Sequence, residues 1–94
     1  MQTKSVYKVP DGKLIKIFLD YNTSSNTISS IQINGDFFVY PEESIQKLEE
    51  ELIGNPLERK TLHGIIEAFI NKNQIEFIGI SAESLTEAVM RCPL

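Results

Sequence analysis

An α+β fold, with an antiparallel sheet of about three strands followed by three helices packed on one face, is predicted by three features of this chain. Between Lys13 and Tyr21, Ile15, Ile17, Leu19 and Tyr21 alternate with Leu14, Lys16, Phe18 and Asp20, the period of a strand with one buried face. A second extended run, Thr27 to Tyr40, follows a polar loop and returns alongside it. Beyond Pro41 the apolar spacing changes to three and four residues, and Gly, Pro and Ser fall where helices start and stop. Sheet first and helices afterwards describes an α+β layer architecture.

The elements follow in order. Ser5 to Val9 reads as a short strand, and Pro10-Asp11-Gly12 as a turn, with proline presetting φ and glycine accepting a positive one. Asn22 to Asn26 is the loop between the two long strands. Gly35-Asp36 is the place where the second long strand bends or bulges. A first helix is predicted over Pro41–Ile53. Proline suits its first turn, Glu42 and Glu43 suit the positive end of its dipole, and Gly54 ends it. Its stripe is Ile45, Leu48, Leu52 and Ile53. A second helix is predicted over Pro56–Asn71, with Asn55 and Glu58 as a capping box and Leu62, Ile65, Ile66, Phe69 and Ile70 buried. Residues 73–80 are open between strand and loop. A third helix starts at Ser81 as N-cap, buries Leu85, Ala88 and Val89, and ends before Pro93.

With 94 residues, 41% hydrophobic and 23% charged, the chain fits one globular domain spanning 1–94. No apolar run approaches the ~20 residues of a membrane span, and the first residues lack the apolar stretch of a signal peptide, so a cytoplasmic location is expected. Thirteen acids oppose nine bases, and the bases are scattered, with Lys13/Lys16 and Arg59/Lys60 the nearest to clusters. Tracking a phosphate backbone needs a continuous positive surface, which disfavours nucleic acid as a partner.

The residue types that carry chemistry are few. His63, the only histidine, borders the apolar stripe of the second helix and has no second histidine or placed cysteine to work with. Cys92, the only cysteine, continues the buried face of Leu85 and Val89 and reads as an inert thiol. Glu42, Glu43, Glu49, Glu50 and Glu51 are the solvated side of an amphipathic helix. Gly12-Lys13 lacks the flanking residues of a P-loop. No catalytic set and no metal-ligand set emerges. Two pairs keep alternatives open. Lys13 is either a solvated turn lysine or one reaching an anionic group on a partner, and Gly35-Asp36 is either a bulge with a backbone-bound aspartate or part of a functional corner.

The second face of the sheet is a stronger signal. If Ile15, Ile17, Leu19, Ile31, Ile33, Phe37 and Val39 lie under the helices, then Leu14, Phe18, Phe38 and Tyr40 point away. Three helices cover one face of such a sheet, so these four residues are predicted to line a protein-docking surface.

The run Ile33-Asn34-Gly35-Asp36-Phe37-Phe38-Val39-Tyr40-Pro41-Glu42-Glu43 resembles the small C-terminal domain of lipoate–protein ligases, which in some archaeal systems is a separate accessory protein. Val9-Pro10-Asp11-Gly12-Lys13-Leu14-Ile15-Lys16 and Gly54-Asn55-Pro56-Leu57 fit the same family, and the resemblance covers roughly residues 6–90. It implies an accessory subunit, not catalytic alone, that partners a catalytic subunit in forming lipoyl-adenylate before transfer to a lysine of a lipoyl-domain protein. It also implies that lipoate, ATP and magnesium belong to the complex and that none is bound by this chain alone. Gly12, Lys13, Gly35 and Asp36 match the family's recurrent pattern and are expected to face the partner's active site. The alternative is an adaptor or scaffold module, shaped like those of iron–sulfur assembly, that binds another enzyme through the aromatic face. One near-terminal cysteine argues against the scaffold form.

Overall fold

In a computed structural model describing all 94 residues, Met1–Leu94, three strands form an antiparallel sheet in the order β1 (Gln2–Lys8), β2 (Leu14–Asn22), β3 (Thr27–Gly35). The chain then makes β4 (Phe38–Tyr40), α1 (Ser44–Leu52), α2 (Arg59–Asn73), β5 (Glu76–Ile78) and α3 (Ala82–Met90). Strands β4 and β5 pair with each other as a separate antiparallel ribbon. The α+β class and the single helical layer are as predicted.

The period-two pattern does what it should. Ile15, Ile17, Leu19 and Tyr21 of β2 and Ile28, Ile31 and Ile33 of β3 are buried on one face. Ile17↔Ile33 and Leu19↔Ile31 are direct cross-strand partners. A bulge between Asp20 and Tyr21 lets Ile28 join the same face. Helix α1 lies on β3 and α3 on β1 and β2, while α2 packs against both helices. Leu48, Leu52, Leu62, Ile66, Leu85, Ala88 and Val89 close one continuous apolar cluster with the sheet. No helix covers the other face.

Several boundaries differ from expectation: β1 spans Gln2–Lys8 instead of Ser5–Val9, α2 runs to Asn73 instead of Asn71, and the others have local reasons. The extended run 27–40 is not one bent strand, because the break at Gly35-Asp36 sends Phe38–Tyr40 to pair with β5. The ambiguous residues 73–80 supply that partner. Helix α1 begins at Ser44 instead of Pro41, since residues 41–43 form a turn closed by the Ser44 N–H on the Pro41 carbonyl at 3.0 Å. At the other end of α1, Ile53 is extended, lies outside the helix instead of in its buried stripe and is exposed. Helix α2 begins at Arg59 without the predicted capping box. Glu58 is extended and makes no cap bond, and the Asn55 amide instead donates to the Glu51 carbonyl at 2.9 Å. Residues 54–56 are held by the sheet: Gly54 N–H donates to Ile28 O, and Ile28 N–H to Asn55 O. Ser81 caps α3 as predicted, in a reciprocal box with Ser84. The Ser84 N–H donates to Ser81 Oγ at 3.1 Å, and the Ser81 N–H to Ser84 Oγ at 2.7 Å.

Candidate functional site: a backbone corner and two uncovered faces

Gly12, Lys13, Gly35 and Asp36, far apart in sequence, meet at one end of the β1–β2 hairpin. The Leu14 backbone is held from one side by Asp36. Its N–H donates to the Asp36 carboxylate at 2.7 Å, and its carbonyl accepts the Asp36 N–H at 3.3 Å. From the other side the Lys13 N–H donates to the Gly79 carbonyl at 3.0 Å. The glycines permit these approaches. A Cβ on Gly35 would collide with the Leu14 carbonyl, and one on Gly12 would come to 2.7 Å from the Gly79 carbonyl. Gly79, at φ +90°, lies under the Lys13 stem and belongs to the corner, yet the sequence offered only the isolated glycine in an ambiguous stretch as a sign of it. Within the turn the left-handed residue is Asp11, at φ +58°, and not Gly12. The Lys8 ammonium binds the Val9 and Gly12 carbonyls of the same turn.

These contacts sort the candidate residues. The Asp36 carboxylate is committed to a backbone N–H, so its place here is structural positioning of β2 against the ribbon. Lys13 is exposed, and its side chain has neither a hydrogen bond nor an ion pair.

The four candidate docking residues do not share one sheet, contrary to expectation. Leu14 and Phe18 lie on the uncovered face of the three-stranded sheet, where Leu14 is only half-exposed beside Lys8 and Phe18 is 47% exposed. Phe38 and Tyr40 lie on the ribbon, 58% and 50% exposed. Phe38 stands opposite Ile78, itself exposed, and Tyr40 opposite Glu76. On the ribbon's other side Val39 and Phe77 turn inward, with Phe37 half-buried against the core. The break at Gly35 separated the two pairs, although the alternation within each survived it.

Elsewhere the polar clusters hold the fold together. Arg59 of α2 reaches Glu87 of α3 at 2.8 Å beside a groove of about 740 Å³ between β1, α2 and α3, while Arg91 at the end of α3 reaches the same carboxylate at 2.8 Å as an i,i+4 pair and stacks over the Tyr7 ring at 4.5 Å. Hydrogen bonds from Arg59 and then Arg91 hold the Glu87 carboxyl below the ordinary carboxylate range. His63 is half-buried with Nε2 3.5 Å from the Glu67 carboxylate, an i,i+4 pair on α2. Cys92 is buried, and burial pushes its thiol up. It is not displayed at a sheet end as a cluster scaffold would require. No three His, Cys, Asp or Glu side chains gather as a metal site, and no glycine-rich loop precedes a helix. No helix is long and apolar enough to cross a membrane.

Comparison with known proteins gives a consistent result. Residues 12–89 match the family described as the bacterial lipoate protein ligase C-terminus. "Lipoate-protein ligase A subunit 2" of Thermoplasma acidophilum is 38% identical over 76 residues, covering 81% of this chain and 76% of the relative. A chain in the solved structure of an archaeal lipoylation system, a bi-partite lipoate protein ligase and its E2 lipoyl domain from Thermoplasma acidophilum, superposes with a TM-score of 0.82 at 32% identity, covering 95% of this chain and 94% of that one. From the Gly12-Lys13 turn through α3, this chain belongs to the family of lipoate protein ligase C-terminal domains.

Proposed function

We propose that this chain is the non-catalytic subunit of a two-component lipoate–protein ligase. Together with a catalytic subunit it supports ATP-dependent activation of lipoate to lipoyl-adenylate, before transfer to a lysine of a lipoyl-domain protein. The observation that carries this reading is the near end-to-end superposition on a chain from a bi-partite ligase, at an identity high enough to speak for more than fold. Two features of the chain agree with it. Residues 12–89 match the family described as the bacterial lipoate protein ligase C-terminus. And Phe38, Tyr40 and Ile78 form an exposed apolar strip of the kind that anchors a partner.

A physical role follows from the chemistry of activation. A mixed anhydride hydrolyses readily, so its formation requires a site closed to water. A rigid module clamped on the catalytic subunit can order loops and exclude solvent, and can move when the acceptor lysine must enter. Gly12, Lys13, Gly35 and Asp36 form the edge of the module assigned to face that site, with Lys13 as its free cation. In a test, purified chain, catalytic subunit and the two together are incubated with ATP, magnesium and lipoate while pyrophosphate release is followed. Release only from the mixture is expected. Turnover by this chain alone, or full turnover by the catalytic subunit alone, would overturn the assignment.

A further inference from the structure

The lysines that look scattered along the sequence are collected by the hairpin. Lys4, Lys8 and Lys16 sit at even spacings on paired strands, so they project from the same side of the sheet, the side no helix covers. Val6 stands opposite Lys16, Lys4 opposite Phe18 and Lys8 opposite Leu14. Lys16 is thus the diagonal neighbour of both other lysines, about 7–8 Å away in an antiparallel ladder. Across β2 the face continues through Ser30, Gln32 and Asn34, all uncharged. Its acids lie at the rim: Asp20 at the far end, 3.4 Å from the Met1 ammonium, and Glu49 at the β3 edge, where it accepts the Ile33 N–H at 2.7 Å. At the near end the Asp36 carboxylate is occupied by the Leu14 N–H. Lys8 spends its donors on turn carbonyls but keeps its charge, and no ion pair engages Lys4 or Lys16.

The charge of the whole chain is divided the same way. Four of the nine bases but only two of the thirteen acids precede Gly35. A net −4 protein therefore presents a positive sheet face backed by an acidic helical layer. Between the lysines Val6 is 62% exposed and Phe18 47% exposed. Like charges clustered without acids destabilise the free protein slightly, and apolar side chains between them are left wet. Both penalties disappear against a surface that is acidic with an apolar centre. Nucleic acid would satisfy the lysines but not Val6 and Phe18, and both nucleic acid and an anionic membrane would be repelled by the acidic remainder.

Resting on the functional reading above, we infer that the catalytic subunit meets this face with an acidic surface. The lysines set the rate and orientation of assembly, and the apolar ribbon sets its lifetime. Charges that steer an encounter act on the association rate, whereas buried aromatic contacts act on dissociation.

The experiment measures association and dissociation rates between this full chain and the catalytic subunit at low and high ionic strength. The wild-type chain should associate at least about tenfold more slowly at high salt. Lys4→Glu combined with Lys16→Glu should bring low-salt association down to that rate and flatten its salt response, with dissociation little changed. The neutral pair Lys4→Gln and Lys16→Gln should fall between, which excludes misfolding as the cause, and reversal of Glu50 and Glu51 on α1 to lysine should not slow association. A salt-independent wild-type rate, or wild-type association by the Glu variant, overturns the inference while leaving the functional reading intact. So does normal association with a selective loss of transfer, which would assign the face to the acceptor protein. Failure of the wild-type chain to bind the catalytic subunit at all removes the functional reading, and this inference with it.

Discussion

At the scale of single residues, neighbouring members of one motif have separate jobs. Asp36 and Lys13 stand within the same corner, yet Asp36 spends its carboxylate on the Leu14 N–H at 2.7 Å whereas Lys13 spends its ammonium on nothing in the chain. A hydrogen bond to a charged group contributes about 1.5–3 kcal/mol when buried and less at an exposed position. Asp36→Ala should therefore lower stability by about 1 kcal/mol in urea unfolding, with Asp36→Asn recovering part of it. Lys13→Ala should leave stability unchanged and lower the rate of lipoyl-adenylate formation by the assembled complex. Assembly should be unaffected, because a rim lysine adds little affinity. Steady-state kinetics at saturating catalytic subunit, with complex formation checked by gel filtration, separates the two residues. An unchanged rate for Lys13→Ala would reduce it to a solvated turn lysine.

At the scale of elements, the informative unit is the β4–β5 ribbon, where successive phenylalanines face opposite ways. Phe37 is half-buried against the core and Phe38 is exposed opposite Ile78. Phe37→Ala should cost about 2–3 kcal/mol of folding stability, at the lower end for a large apolar side chain because its burial is partial. Phe38→Ala should cost less than about 0.5 kcal/mol of stability and weaken association with the catalytic subunit at least about tenfold. Paired thermal melts and binding titrations test both, and the opposite assignment would place the strand one residue out of register. That the register was legible in the sequence, while the break in the strand was not, has a physical origin. Alternation is a local property, and it survives on each side of Gly35. Whether Val39 and its neighbours continue a sheet or leave it depends on a partner, β5, whose three residues carry too short a pattern to be distinguished from loop. The same division holds for the helices. Ser81 announces α3 because its capping contacts lie within three residues. The start of α2 was misplaced because the Asn55 carbonyl and the backbone of Gly54 are claimed by Ile28, a contact between distant segments. The docking lysines were hidden similarly: spacings of four and eight look scattered until strand pairing puts them side by side.

At the scale of the whole molecule, a small module with one covered and one uncovered sheet face is suited, on the proposed function, to help one step of a reaction and not another. Forming lipoyl-adenylate brings two anionic reactants together and must exclude water, so it benefits from an additional wall and a nearby cation such as Lys13. Transfer begins from a preformed, activated acyl group and needs the acceptor lysine to enter, a step for which a closed wall is an obstacle. The two half-reactions should therefore depend on this chain unequally. With lipoate, ATP and magnesium, omission of the chain should reduce adenylate formation by at least about a hundredfold, corresponding to about 2.7 kcal/mol of transition-state stabilisation. With lipoyl-adenylate supplied directly, omission should change the rate of acceptor modification by less than about fivefold, or about 1 kcal/mol. Rapid-quench measurement of each half-reaction, with the catalytic subunit alone and with the complex, decides the matter. Equal losses in both would mean that the chain maintains the fold of its partner throughout the cycle, and the proposed wall against water during activation would have to be abandoned.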